Sequence, residues 1–289
     1  MAHLVALIAV LFWSGSFLAA ARLRQDLTVA EALAARFIPV FVGSGLLLLW
    51  RRPRFARAAW PRILALGLCG VVLYNIFFFL GLGSVPSGTA ALIIALNPVF
   101  TALGARFVLG EEFGLRRVLG LLLALGGVYV VVRYGAGRSV DWPYLSAAAL
   151  LTVAPVLWAA YNILGRGLPS GTSSLDATLA LLFVGSAPLV FLVDRHTVAV
   201  LASSPAASFA ALYLAVPCTL VGFTAWLWAL KRLPAGEVAV FVFLNPLLAN
   251  VWSWLIEGTK LTPAFIVGGL LLLVGVGLVV VRKEWIVRR

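Results

Sequence analysis

Charged residues are scarce in this sequence. They make up 11% of its 289 residues, against about a quarter in an ordinary soluble domain, while 63% of the residues are hydrophobic. Apolar runs of about 20 residues, the length that crosses the hydrocarbon core of a bilayer, fill most of the chain. No remaining segment is long enough for a soluble domain of useful size. The composition therefore predicts an integral membrane protein whose helices are embedded in a lipid bilayer.

Histidine and cysteine are also rare. His3 and His196 are the two histidines, and Cys69 and Cys218 lie within apolar runs, so no metal-ligand spacing and no disulfide framework can be recognised. None of the three lysines follows a glycine, which excludes a GK[ST] phosphate-binding loop. We therefore expect a chain that binds no metal and no cofactor and does not hydrolyse ATP by itself.

Acidic residues are missing from the middle of the apolar runs. All ten lie in connections or near the ends of runs, so no central carboxylate is available to carry a coupling proton. No DDxxD cluster exists for a membrane-embedded transferase, and we expect no enzymatic activity. The net charge of +12 comes from basic residues that lie mostly between the apolar runs and form no continuous patch. This distribution argues against nucleic acid as a partner. A passive scaffold is the other alternative to transport.

The apolar runs predict ten membrane-spanning helices. They cover residues 4–21, 28–49, 62–82, 86–109, 115–133, 143–164, 175–193, 207–230, 234–256 and 262–281. The first run lacks the basic flank and cleavage site of a signal peptide, so we expect it to be a span. If the N-terminus is inside, fourteen Lys and Arg residues lie in inner segments and six in outer loops. By the positive-inside rule, both termini are then cytoplasmic.

One phrase of the sequence occurs twice. The segment VPSGTAALIIALNP at 85–98 returns as LPAGEVAVFVFLNP at 233–246, with six of fourteen positions identical. Each half of the chain has five predicted spans, an odd number, so the second copy enters the membrane in the opposite orientation. The sequence thus predicts two inverted five-helix repeats, residues 1–138 and 139–289, around a central cavity. Inverted repeats with interrupted helices are typical of secondary transporters working by alternating access.

Each copy of the phrase carries an Asn-Pro pair deep inside its span, at Asn97–Pro98 and Asn245–Pro246. A proline there removes one backbone donor and frees the carbonyl one turn earlier, at Ile94 and Val242. One interpretation is a structural kink whose asparagine satisfies loose backbone groups. The other is a hinge whose amide also faces the transport pathway.

Aromatic, hydroxyl and amide side chains within the spans are the candidate substrate-binding residues. Such a mixture suits a small, partly apolar solute without net charge. Arg36, eight residues into the second span, either binds a carboxylate or serves the structure of the bundle. The candidates are Trp13, Ser16, Tyr74, Asn75, Phe78, Phe79, Trp158, Asn162 and Phe223.

Two further stretches carry a family resemblance. The segments ALNPVFTALGARFVLGEE and RFIPVFVGSGLLLLWR, with the ten spans and the repeat, resemble EamA-type permeases of the drug/metabolite transporter superfamily. The family's Gly-Glu is present at Gly110 and Glu111, whereas Thr259 follows Gly258 in the second copy. The resemblance implies a carrier with a cavity built from spans 1, 3, 4, 6, 8 and 9, located in a bacterial inner membrane.

Within that family, the aromatic segments are most similar to those of bacterial exporters of aromatic and other neutral amino acids. The resemblance therefore implies a small-molecule substrate of that class, moved outward. The alternative substrates are sugar nucleotides or phosphates, which need several cations in the cavity; Arg36 and Arg106 are those within spans. The chain could act as a monomer, and its oligomeric state is left open.

Overall fold

The computed structural model describes residues 1–109, 114–135, 141–166, 168, 173–233, 238, 241–258 and 262–280. Throughout these ranges every regular element is helical. The predicted all-α class is therefore confirmed for the part of the chain that the structure describes. Glu111, Glu112, Pro234, Glu237 and Thr259 lie outside the described residues.

Twelve helices can be traced through the described ranges. The first six are α1 Ala2–Asp26, α2 Val29–Arg51, α3 Arg57–Leu82, α4 Ser87–Ile94, α5 Asn97–Leu109 and α6 Leu115–Val130, which continues as a π-helical turn at Val131–Gly135. The others are α7 Trp142–Arg166, α8 Ser174–Val190, α9 Arg195–Ser203, α10 Pro205–Leu230, α11 Leu244–Glu257 and α12 Pro263–Val280. A 3₁₀ turn, Phe241–Phe243, directly precedes α11.

The described helices make the chain a multi-pass membrane protein. Among the described residues, six segments are long and apolar enough to span a bilayer: α1, α2, α3, the α4–α5 pair, α7 and α10. The α8–α9 pair, bent by 108°, would make a seventh. Helices α6 and α12 are apolar but shorter over their qualifying stretches, Val118–Val130 and Pro263–Gly275. The total of ten spanning helices stays a prediction.

Local sequence explains where two of the helices begin. At α2, the Thr28 hydroxyl accepts a hydrogen bond from the backbone N–H of Glu31, and the Glu31 carboxylate accepts one from the N–H of Thr28 at 2.6 Å. This capping box satisfies two N–H groups that the helix itself leaves free. At α9, Asp194 Oδ1 accepts from the N–H of Thr197 at 2.8 Å. The short helix α9 was not expected from the apolar pattern, because its sequence is partly polar.

Two of the long helices contain π-helical segments, Gly67–Leu73 in α3 and Leu214–Val221 in α10. Pro217 within the second segment cannot donate a backbone hydrogen bond, which loosens the helix there. Side chains satisfy carbonyls of both segments: Asn75 Nδ2 donates to the Val71 oxygen at 2.8 Å, and the Thr219 hydroxyl to the Leu214 oxygen at 2.7 Å. Each π segment rotates the residues that follow it relative to a regular helix.

The Asn-Pro pairs coincide with changes of helix type. The predicted span 86–109 is divided by a turn at residues 95–96, so that α5 begins at Asn97. In the second copy, the 3₁₀ turn Phe241–Phe243 gives way to α11 just before Asn245 and Pro246. Proline is tolerated at such positions because the first N–H groups of a helix have no intrahelical partner. Whether the two sites act as hinges stays a prediction.

The long helices pack reciprocally. Helix α1 lies against the C-terminal part of α10 and against α11, while α7 lies against the C-terminal part of α3 and against α5. Helices α2 and α8 pair with each other, as do α6 and α12. A two-fold relation between residues 1–138 and 139–289 would produce this exchange of partners. The inverted repeat itself stays a prediction.

Candidate functional site

A cavity of about 40 Å³ lies inside the bundle, where the long helices meet the two interruptions. The volume is comparable to that of one water molecule. Ten of its twelve lining side chains are at most 8% exposed. The lining comprises Trp13, Ser16, Phe17, Arg36, Tyr74, Phe78, Ile94, Asn97, Trp158, Phe223, Val242 and Asn245. The space is therefore narrow in this structure, and a solute the size of an amino acid requires the helices to move apart.

Trp158 on α7 is the centre of the aromatic wall. Its ring centroid lies 5.3 Å from that of Trp13 and 5.1 Å from that of Phe223, both in edge-to-face geometry. Tyr74 lies 5.2 Å away, and Tyr161 stacks behind the indole at 4.8 Å. Aromatic pairs in these arrangements contribute about 0.5–1.5 kcal/mol beyond the burial of their area. Four helices thus present one continuous aromatic surface to the cavity.

The π segment of α10 holds Trp13 in place. The Trp13 indole N–H donates to the backbone oxygen of Cys218 at 2.8 Å. In a regular α-helix that oxygen would accept from the N–H of residue 222. Residue 222 is a glycine, and a Cβ there would come within 2.6 Å of Trp13 Nε1. The irregular backbone and the missing side chain of Gly222 therefore both serve the position of Trp13.

Asn97 belongs to a network of side-chain hydrogen bonds. Its Oδ1 accepts from the Thr101 hydroxyl at 3.0 Å and from Asn162 Nδ2 at 3.3 Å. Asn162 Oδ1 in turn accepts from the indole N–H of Trp226 at 3.3 Å. This network ties α5, α7 and α10 together at the level of the cavity. In the described contacts, the Asn97 side chain is held by other side chains and not by loose backbone groups.

Arg36 reaches the cavity from α2 and is 4% exposed. Its Nε and Nη2 donate to the Thr219 hydroxyl oxygen at 3.3 and 3.0 Å. Nη1 has no hydrogen-bond partner in the described part of the chain. The guanidinium therefore brings a positive charge and an unused donor to an otherwise aromatic and amide-lined space.

Most of the residues singled out from the sequence meet at this cavity. The lining includes Trp13, Ser16, Tyr74, Phe78, Trp158 and Phe223, together with Asn97 and Asn245 of the Asn-Pro pairs. Pro98 and Pro246 follow those asparagines directly. The six helices named by the family resemblance all contribute, and α2 contributes in addition through Arg36. A role in binding a substrate stays a prediction for each of them.

Three of the candidates lie outside the lining. Asn75 is fully buried, because its amide caps carbonyls of the α3 π segment. Phe79 is fully buried and packs edge-to-face on Phe78 at 5.8 Å. Asn162 is 4% exposed and supports Asn97 from behind. Asn75 and Phe79 thus do not line the cavity, and Asn162 contacts a lining residue without lining the cavity itself.

Sequence reasoning missed Phe17, Ile94 and Val242 as lining residues. Phe17 could have been found from its spacing, because it lies four residues after Trp13 on the same face of α1. Ile94 and Val242 are the residues whose carbonyls the prolines free, but nothing in the sequence placed them at the cavity. Their position brings backbone acceptors of both Asn-Pro turns to one place.

Known proteins show where the chain belongs. Residues 1–133 and 145–281 match the model of the EamA-like transporter family. An uncharacterized transporter of Archaeoglobus fulgidus is 26% identical over 288 residues, covering 97% of this chain and 99% of that protein. A probable terminal-alkyne amino-acid exporter of Streptantibioticus cattleyicolor is 29% identical over 229 residues, covering 79% of this chain and 75% of that one.

The fold has a counterpart among solved structures. One crystal structure superposes with a TM-score of 0.63 at 20% sequence identity, covering 96% of this chain and 95% of the other. At that identity the similarity shows the fold alone. The family match, which extends over nearly the whole chain, confirms the resemblance drawn from the sequence. The protein belongs to the EamA-like transporter family.

Proposed function

We propose that this protein is a secondary transporter for small, net-neutral, partly apolar metabolites. The substrates are aromatic and other neutral amino acids, moved outward across a bacterial inner membrane, with both termini in the cytoplasm. The protein moves its substrate without changing it chemically. The cavity where the two Asn-Pro turns meet the aromatic wall is the observation that carries this proposal.

The shape of the site supports alternating access. A space of about 40 Å³ is too small for an amino acid. The lining nevertheless carries groups that suit one: aromatic rings, two amides and a guanidinium. Opening requires some of the surrounding helices to separate, and the turn at residues 95–96 is a place where the helix is already interrupted. Rocking of one half against the other would open the cavity to each side in turn.

The charge of the cavity supports neutral amino acids over the other substrate classes. Among the described lining residues, Arg36 is the one cation, whereas a nucleotide sugar or phosphate needs several. The described part of the lining contains no carboxylate, histidine or thiol that could serve a transferase as acid, base or nucleophile. The relative from S. cattleyicolor, named a probable exporter of an amino acid, supports the same class.

Uptake into proteoliposomes tests the proposal. Labelled phenylalanine, methionine and threonine are presented to vesicles that contain the purified protein, at equal pH on both sides. We expect saturable uptake and a KM raised roughly fivefold by Trp158→Ala, because that substitution removes an aromatic contact worth about 1 kcal/mol.

Trp142→Ala provides the matched control. Trp142 lies on the same helix, and it is 78% exposed, so its removal is expected to leave KM unchanged. Equal effects of the two substitutions, or uptake no faster than in protein-free vesicles for all three solutes, would contradict the proposal.

A further inference from the structure

Arg36 is a buried cation whose hydrogen bonding is incomplete. One oxygen atom, the Thr219 hydroxyl, accepts from both Nε and Nη2, and Nη1 is left without a partner in the described residues. An unmade hydrogen bond of a buried charged group is costly, and charges within membrane segments generally mark a functional path. The unused donor belongs to a side chain that lines the cavity.

No acidic side chain of the described chain pairs with Arg36. The described acids contact other groups: Asp26 contacts Arg22, Asp176 contacts Arg51, Glu31 contacts His196, Asp194 accepts from the N–H of Thr197, and Asp141 accepts from the N–H of Tyr144. The positive charge of Arg36 is thus uncompensated within the described part of the protein. A ligand that brings a carboxylate into the cavity would supply both the missing acceptor and the missing charge.

The Asn-Pro turns present acceptors to the same cavity. Asn245 is 4% exposed, and its Oδ1 has no hydrogen-bond partner in the described residues. Pro98 and Pro246 have no N–H to donate to the carbonyls of Ile94 and Val242, and both of these residues line the space. These acceptors could bind a hydrogen-bond donor that the ligand supplies.

We propose that the solute binds as an α-amino acid zwitterion, with its carboxylate on Nη1 of Arg36 and its ammonium at Asn245. This inference rests on the proposed function and adds the chemical groups that the site recognises. The aromatic wall of Trp13, Tyr74 and Trp158 then receives the side chain. A zwitterion brings no net charge, so it uses the single guanidinium without requiring a second cation.

Three compounds with the same phenyl ring separate the two contacts. L-phenylalanine carries both charged groups, 3-phenylpropionate lacks the ammonium, and 2-phenylethylamine lacks the carboxylate. Isothermal titration calorimetry of the full-length protein in detergent gives Kd for each compound. In the wild type we expect phenylalanine to bind most tightly of the three.

Two substitutions then assign the contacts. Arg36→Gln is expected to reduce the preference for phenylalanine over 2-phenylethylamine by about thirtyfold, the usual minimum effect of removing one partner of a buried charge pair. Arg36→Lys keeps the charge but loses the planar fork, and an intermediate preference is expected. Asn245→Leu is expected to reduce the preference for phenylalanine over 3-phenylpropionate, which lacks the ammonium. The preference for phenylalanine over 2-phenylethylamine is expected to change less, because both compounds carry the ammonium.

The outcomes distinguish failure of this pose from failure of the proposed function. Arg36→Gln could instead raise the Kd of all three compounds by the same factor. In that case Arg36 acts only on the structure and the pose is wrong, although amino acids still bind. If the wild type binds phenylalanine no better than the two truncated compounds, the pose is also wrong. If the folded wild type binds none of the three, the proposed substrate class fails, and the pose fails with it.

Discussion

Thr219 holds Arg36, the one cation among the described residues that line the cavity, through a single hydroxyl. Its oxygen accepts two hydrogen bonds from Arg36, and its proton goes to the Leu214 carbonyl of the π segment. Thr219→Val keeps the shape of the side chain but leaves Nε and Nη2 of Arg36 without an acceptor. We expect it to lower the free energy of unfolding by about 1–3 kcal/mol, measured by denaturant titration in detergent.

Thr178→Val is the matched control for that substitution. Thr178 is also fully buried, but its hydroxyl has no hydrogen-bond partner in the described structure. Removing an unpaired buried hydroxyl is expected to be neutral or slightly stabilising. A loss of stability for Thr178→Val as large as that for Thr219→Val would contradict the role given to the Arg36 contact.

At the scale of single residues, the sequence predicted kinds of side chain better than it predicted their neighbours. Trp13, Tyr74 and Trp158 could be singled out because indole and phenol groups are conspicuous within apolar spans. Asn75 was an equal candidate for substrate binding, yet its amide donates a hydrogen bond to a carbonyl in the π segment of its own helix. Sequence spacing shows which residues share a face of a helix, but not which face meets the cavity.

Close contact between two helices depends on glycine in the α6–α12 pair. A Cβ on Gly127 would lie 2.6 Å from the backbone nitrogen of Leu272, and one on Gly268 would lie 2.7 Å from the backbone oxygen of Gly127. Small residues let membrane helices approach to backbone contact, where van der Waals packing stabilises the pair. The contact lies away from the cavity lining, so its effect on stability can be measured separately from binding.

Gly127→Val is therefore expected to destabilise the protein by about 1–3 kcal/mol, since the added side chain must push α12 away. Gly126→Val, one residue earlier on an exposed face with nothing within 4 Å, controls for the helix propensity of valine. Thermal unfolding in detergent, followed by circular dichroism, measures both. Equal melting temperatures for the two variants would refute the close α6–α12 contact.

At the scale of helices, apolar runs located the six segments of the described chain that are long enough to span a bilayer, and local irregularities were harder to predict. The segments Gly67–Leu73 and Leu214–Val221 read as ordinary apolar helix, although Pro217 marks the second. Near Pro98 a kink or a hinge was expected, and not a break between two helices. These irregularities arise from carbonyls that find side-chain partners in other turns or other helices, and such tertiary contacts leave no periodic signal in the sequence.

The whole molecule brings both Asn-Pro turns, which are 148 residues apart in the sequence, to one cavity. Helix α1 packs on α10 and α11 as α7 packs on α3 and α5, so each half supplies walls to the other. The duplicated phrase predicted two related halves, but the sequence could not show that they share a space of about 40 Å³. The size of that space depends on how the helices cross, which apolar patterning does not specify.

In the proposed transport cycle, this cavity carries its solute by opening to one side of the membrane at a time. The most direct measurement is trans-stimulation in proteoliposomes: initial uptake of labelled phenylalanine into vesicles preloaded with unlabelled phenylalanine, compared with empty vesicles. Alternating access predicts faster, saturable uptake into the preloaded vesicles, because the loaded cavity returns more readily than the empty one. Uptake that rises linearly with concentration and does not respond to preloading would contradict alternating access through this site.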